Sequence, residues 1–181
     1  MEHYNYLFCT VNGFRVSNNE PCIVGQLLHR PRLPAFLMKD KIVETIASNQ
    51  ITVISGDTGC GKTTQVPQLV LDDMIFNNRG SEANIIVTQP RRISAIGVSE
   101  RIASERCERV GETTGYSIRG ESKRSAKTRL LLCTTGILLR RLQCDPDLAS
   151  VSHVFVDEVR KCFATLCIIS PFFTHGCNFC I

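Results

Sequence analysis

The run Gly56-Asp57-Thr58-Gly59-Cys60-Gly61-Lys62-Thr63 constrains this chain more than any other feature. It matches G-x-x-x-x-G-K-[S/T]. It follows a short β-rich run, residues 51–55, and precedes an amphipathic stretch that predicts a helix from Thr63 to about Phe76. A strand–loop–helix unit of this kind cradles phosphate. Gly56, Gly59 and Gly61 let the backbone curl so that successive N–H groups point inward. The helix N-terminus adds positive potential. Lys62 supplies a mobile charge for the β- and γ-phosphates, and the Thr63 hydroxyl is a hard oxygen ligand for Mg²⁺. A chance match is the alternative, but chance would also have to supply the flanking strand and helix. The candidate nucleotide-binding set is Gly56, Asp57, Thr58, Gly59, Cys60, Gly61, Lys62, Thr63 and Thr64.

The rest of the chain alternates short apolar runs with amphipathic stretches. Residues 84–88 (NIIVT), 129–133 (RLLLC) and 151–156 (VSHVFV) read as further strands. Helical spacing predicts helices from Pro34 to about Asn49, from Ile93 to about Cys107, and from Gly136 to Leu142. In the helix after the phosphate loop, Val66, Leu69, Val70 and Met74 share a face, and Pro67 reads as a first-turn residue. Strands separated by crossover helices predict an α/β fold: a parallel sheet with helices on both faces. Residues 1–32 show no strong period and read as a poorly ordered arm.

Composition adds exclusions. With 43% hydrophobic and 21% charged residues the chain is globular rather than disordered. It has no apolar run of 18 residues, so no membrane partner is expected. The first residues, MEHYNYLFCTVNGFRV, do not read as a secretory signal, which points to an intracellular protein. Six of the ten cysteines scatter from Cys9 to Cys144, mostly in apolar runs, and read as reduced core thiols. A net charge of +4 is compatible with nucleic acid but does not demand it.

Three further motifs carry chemistry. Val154-Phe155-Val156-Asp157-Glu158 is an apolar strand ending in two carboxylates, at the kind of strand end where open α/β sheets bind ligands. There Asp157 can hold Mg²⁺ and Glu158 can orient an attacking water; a solvated acidic strand end is the plain alternative. Thr88-Gln89-Pro90-Arg91-Arg92 joins a strand end to a helix start. Two arginines there oppose the helix dipole, and a phosphate backbone would offset that; a solvated basic turn is the alternative. Cys133-Thr134-Thr135-Gly136 is another strand-end loop, open both to nucleic-acid phosphates and to a plain N-cap role. Arg140 and Arg141 follow on what reads equally as a solvated helix face.

With these residues assembled, the chain resembles the DEAH-box RNA helicases of superfamily 2, in the variety carrying DEVH or DEIH. GDTGCGKTTQVPQ, TQPRRISA, GYSIRGES, CTTGILLRRL and VSHVFVDEV match in order and spacing, from about Leu33 to Val159. The resemblance implies a RecA-like domain, ATP and Mg²⁺ as cofactors, and RNA, single-stranded or structured, as partner. It implies catalytic work from Lys62, Asp157 and Glu158, metal ligation by Thr63 and Asp157, and RNA-backbone contacts from Arg91, Arg92, Thr135 and Gly136. It further implies that Arg101 stacks on the nucleotide base; a surface arginine is the alternative. A kinase or transporter ATPase would share the phosphate loop but not TQPRR or CTTG.

The resemblance stops where the family's acidic motif continues as His and then Glu-Arg; here Val159 leads into Arg160-Lys161-Cys162. Residues 160–181 contain four Cys and four Phe, and the S-A-T motif and second RecA-like domain have no counterpart in the 181 residues. The tail reads as a shortened isoform or translation past a lost splice junction. Zinc ligation by Cys162, Cys167, His175, Cys177 and Cys180 is the other reading. The sheet is expected to be incomplete at its C-terminal end, with a gap beside the acidic strand unless residues 165–170 fill it. Such a chain could also be a non-catalytic isoform that binds nucleotide or RNA weakly.

Overall fold

The computed structural model describes residues 30–158 and 178–180. Within that span seven strands form one sheet in the order β1-β7-β6-β2-β5-β3-β4. The strands are β1 (Ile51–Thr52), β2 (Ile85–Gln89), β3 (Thr114–Ile118), β4 (Glu121–Lys123), β5 (Leu130–Thr134), β6 (His153–Val156) and β7 (Asn178–Cys180). All neighbouring pairs are parallel except the β3–β4 hairpin. The helices are α1 (Pro34–Leu37), α2 (Lys39–Ser48), α3 (Lys62–Phe76), α4 (Arg92–Glu105) and α5 (Thr135–Cys144), preceded by a 3-10 turn at Arg30–Arg32.

The alternation of side chains along each strand divides the core in two. Ile85, Val87, Leu130, Leu132 and Phe155 face a layer built by α1 to α4. Ile86, Cys133, Val154 and Val156 face the other way, against Leu138 and Leu142 of α5. The expected fold class, a parallel sheet covered on both faces, is what the chain adopts. On α3 the expected inward set, Val66, Leu69, Val70 and Met74, is buried. Among the described residues no helix is long and apolar enough to cross a membrane.

Several local expectations need correction. The first predicted helix is two: α1 opens on Pro34 and stops at Met38 (φ −100°, ψ 17°), leaving Leu37 exposed. α2 then ends at Asn49, whose side-chain amide caps the Thr45 carbonyl at 2.8 Å. Pro67 is the sixth residue of α3, so it lies beyond the first turn and cannot donate to the Thr63 carbonyl. Arg30, assigned to the arm, is buried. Strands β3 and β4 have no counterpart in the hydrophobic pattern: β3 buries Thr114 and Gly115, and β4 is exposed throughout.

The expected gap beside the acidic strand is filled, and by a segment other than the one considered. β7 sits between β1 and β6, with Phe179 level with Ile51 and Val154, and Cys180 level with Thr52 and Phe155. A slot between two parallel strands asks only for an extended backbone with free N–H and C=O groups and side chains that fit. Cys180 meets the second condition as a small apolar residue in the core. Its burial pushes the thiol up to about 12. Residues 165–170 and the other four zinc candidates lie outside the described residues.

Candidate functional site

The phosphate loop ends in a helix start that only glycine fits. Gly61, the N-cap of α3, has φ 95° and ψ 8°, and makes no side-chain cap. A Cβ on Gly61 would stand 3.0 Å from the Gln65 Cγ and 3.3 Å from the Leu33 Cδ1. The first N–H groups of α3 therefore carry no side-chain acceptor, and the helix dipole adds positive potential there. The loop closes round the Lys62 ammonium, which donates to the carbonyls of Gly56 (2.5 Å) and Asp57 (2.9 Å) and lies 3.5 Å from the Cys60 sulfur.

Facing the loop is the end of β6. The register that sets Thr88 level with Val156 carries Asp157 to the side of Gln89. Asp157 Oδ2 accepts hydrogen bonds from the Thr63 hydroxyl at 2.6 Å and the Gln89 amide at 2.8 Å. Its Oδ1 accepts from the Glu158 backbone N–H at 2.9 Å. Thr63 and Asp157, 94 residues apart, thus meet directly. The gap expected beside the acidic strand does not open between them, since β7 bridges β1 and β6. Glu158 is exposed and left-handed at φ 54°, a conformation that costs a non-glycine residue roughly 1–2 kcal/mol and recurs at functional sites. Gln89 received no role from sequence. Its one signal was a polar residue closing an otherwise apolar strand; it is 2% exposed.

At the other end of the cleft, Arg101 Nε donates to Glu105 Oε1 at 2.7 Å. Glu105 Oε2 accepts from Gln65 Nε2 at 2.9 Å and Gln68 Nε2 at 2.8 Å. Gln65, Gln68 and Glu105 are fully buried, a polar cluster between α3 and α4 that sequence reading passed over. The signal available was polar residues on the inward faces of two apolar helices. The cleft joining both ends has a volume of about 1070 Å³ and is lined by Lys62, Thr63, Asp157, Glu158, Arg101 and Glu105 among others.

The expected nucleic-acid residues occupy the same edge of the sheet. Gln89 and Thr134 are level in the β2–β5 register, so the loops that follow them lie side by side. Arg91 and Arg92 are exposed at the start of α4, whose first turn carries no acid. Thr134 is the N-cap of α5 but its side chain makes no cap bond, so the plain capping role is not what the structure shows. The N-terminal N–H groups at Thr135 and Gly136 carry no side-chain cap. Arg141 is bonded to the Ser150 hydroxyl at 2.9 Å, whereas Arg140 is exposed. Among the described residues no three His, Cys, Asp or Glu side chains gather as a metal cage.

Comparison with known proteins agrees with this geometry. A family model described as DEAD/DEAH box helicase matches residues 38–165. The Arabidopsis thaliana DExH-box ATP-dependent RNA helicase DExH1 is 58% identical over 132 residues, covering 73% of this chain and 13% of that protein. Its DExH3 counterpart from the same plant is 56% identical, over 73% of this chain and 11% of that protein. The human ATP-dependent DNA/RNA helicase DHX36 is 52% identical over 135 residues, covering 73% of this chain and 13% of its own length. The chain thus spans roughly an eighth of the length of these curated relatives.

Proposed function

Because the chain belongs to the DEAD/DEAH box helicase family, we propose that its cleft binds ATP, whose hydrolysis is coupled in a longer protein to remodelling of RNA. The observation that carries this reading is the 2.6 Å contact of Thr63 with Asp157, which closes the phosphate loop onto the acidic strand end. In this role the Lys62 ammonium and the uncapped N–H groups of α3 bind the β- and γ-phosphates. Glu158 orients the water that attacks the γ-phosphorus, and the bond to the ADP oxygen breaks. Arg101 stacks on the base. Arg91, Arg92 and the helix starts at Thr135 and Gly136 take RNA phosphates, which fix the strand's register without reading its sequence. RNA as partner goes with an intracellular protein.

Mg²⁺ fits the residues present. The Thr63 hydroxyl and the Asp157 carboxylate are hard oxygens that already converge, and Mg²⁺ sites of this class take one or two protein oxygens and complete themselves with phosphate and water. Bound there, Mg²⁺ would neutralise charge building on the phosphate oxygens.

Titration calorimetry tests the reading. The 181-residue chain should bind ATP in the presence of Mg²⁺, and Lys62→Ala should weaken binding by about a hundredfold, the worth of charge-assisted contacts to phosphate. Equal binding by the variant would remove the loop from the account.

A further inference from the structure

Glu105 is a buried carboxylate for which the proposed chemistry has no use. Its side chain is 1% exposed, yet it lines the nucleotide cleft beside Arg101, whose side chain is 45% exposed. Burying a carboxylate is costly unless its oxygens are well satisfied. Here each is: Oε1 by Arg101 at 2.7 Å, Oε2 by the amides of Gln65 and Gln68 at 2.9 and 2.8 Å, with Arg30 Nε 3.9 Å away. We propose that Glu105 is a positioning residue that holds the Arg101 guanidinium in the plane a nucleobase stacks on, and ties that plane to the phosphate loop through Gln65.

An arginine side chain free in solvent gives up roughly 2 kcal/mol of rotamer entropy when it is ordered, which weakens any stack it makes. An exposed Arg–Glu pair one helical turn apart recovers about 0.3–0.5 kcal/mol, too little to fix the guanidinium. Glu105 differs because its carboxylate cannot turn. Two glutamine amides hold one oxygen, so the other points at Arg101 Nε in a set direction. Pinning Nε leaves both faces of the guanidinium available for stacking. Gln65 connects this to the phosphate end. Its Nε2 also lies 3.0 Å from the Thr64 hydroxyl, and its Cγ lies 3.0 Å from where a Cβ on Gly61 would stand. Gly61, Gln65, Glu105 and Arg101 therefore form one continuous path between the two ends of the cleft, setting the distance between base and phosphate sites.

This inference rests on the reading of the cleft as an ATP site, and the test separates the two. Binding of ATP and of inorganic tripolyphosphate, each with Mg²⁺, is measured calorimetrically on the 181-residue chain. The wild-type chain should bind ATP more tightly than tripolyphosphate, the difference being the base contribution. Glu105→Gln should weaken ATP by about tenfold, the scale of one cation–π stack, and leave tripolyphosphate within about twofold. Arg101→Ala should do the same, and the double variant should lose no more than either. Glu105→Asp, which keeps the charge but withdraws it by one methylene, should also lose ATP selectively, and it decides the matter should Glu105→Gln fail to fold. Equal loss of both ligands, or loss of neither, in the folded variant would make Glu105 a purely structural hub and overturn the proposal. A wild-type chain that binds both ligands equally would overturn it while leaving the phosphate site standing. A wild-type chain that binds neither would end both readings.

Discussion

His153 shows how a single residue's surroundings set the pH at which this fold is stable. It begins β6, and burial, with a smaller contribution from Arg79, lowers its pKa from 6.5 to about 4. Its Nδ1 is buried without a hydrogen-bond partner. The unfolded chain therefore binds a proton that the folded chain refuses between those two values. Stability from this group is complete above about pH 6.5 and is lost as the pH falls toward 4, by up to about 3 kcal/mol. Chemical denaturation at pH 7 and at about pH 4.5 measures it: His153→Asn should lose less stability than the wild type over that interval. Equal losses would show that other groups set the acid sensitivity. The residues at the proposed nucleotide cleft were the easiest to read from sequence, because Lys62 and Thr63 fall in a fixed-spacing phosphate-loop motif and Asp157 closes an apolar strand. Gln89, Gln65, Gln68 and Glu105 were not, since a polar residue inside an apolar helix or strand declares its partners only when the elements are packed.

At the level of elements, the β3–β4 hairpin rests on a close backbone approach. A Cβ on Gly115 would meet the Lys123 carbonyl oxygen at 2.5 Å, and a backbone atom in a paired strand cannot step aside as a side chain can. Gly115→Ala should destabilise the chain by about 1–3 kcal/mol, seen as a Tm lower by several degrees. An unchanged Tm would mean the hairpin is free to shift. This hairpin was illegible to pattern reading for the same reason that makes it delicate. Its strands are Thr-Gly-Tyr-Ser-Ile and Glu-Ser-Lys, without apolar alternation, and its pairing depends on fit. The strands β2, β5 and β6 were legible because a sheet covered on both faces demands continuous apolar runs. β7 lay beyond any periodic signal: three residues carry none, and what holds Asn178–Cys180 in place is the slot that β1 and β6 leave. At the sheet edge, the loops after β2 and β5 make a second prediction. Arg91→Ala with Arg92→Ala should weaken binding of single-stranded RNA without sequence preference. It should also flatten the slope of log K against log salt, by about 0.7 for each phosphate that the two arginines neutralise. An unaltered slope by fluorescence anisotropy would move the RNA track elsewhere.

For the whole molecule, the proposal is that the described residues form one wall of a nucleotide site that a second RecA-like domain would complete. The phosphate loop, acidic strand end and Arg101 line one open cleft of about 1070 Å³. The arginine that lines it among the described residues is Arg101, whose proposed place is at the base rather than the γ-phosphate. In related NTPases an arginine finger at the γ-phosphate contributes about 10³–10⁵ in rate. The chain by itself should therefore bind ATP and RNA yet turn ATP over near background. The distinction between binding and turnover matters, because Thr63 and Asp157 already meet, so weak hydrolysis would not follow from a gap between them. The most direct measurement is steady-state ATPase of the 181-residue chain with saturating single-stranded RNA, with Glu158→Gln as control. The account predicts a rate close to that of the control and little changed by RNA. Robust, RNA-stimulated turnover that Glu158→Gln abolishes would contradict it, and would make this single domain a complete catalyst.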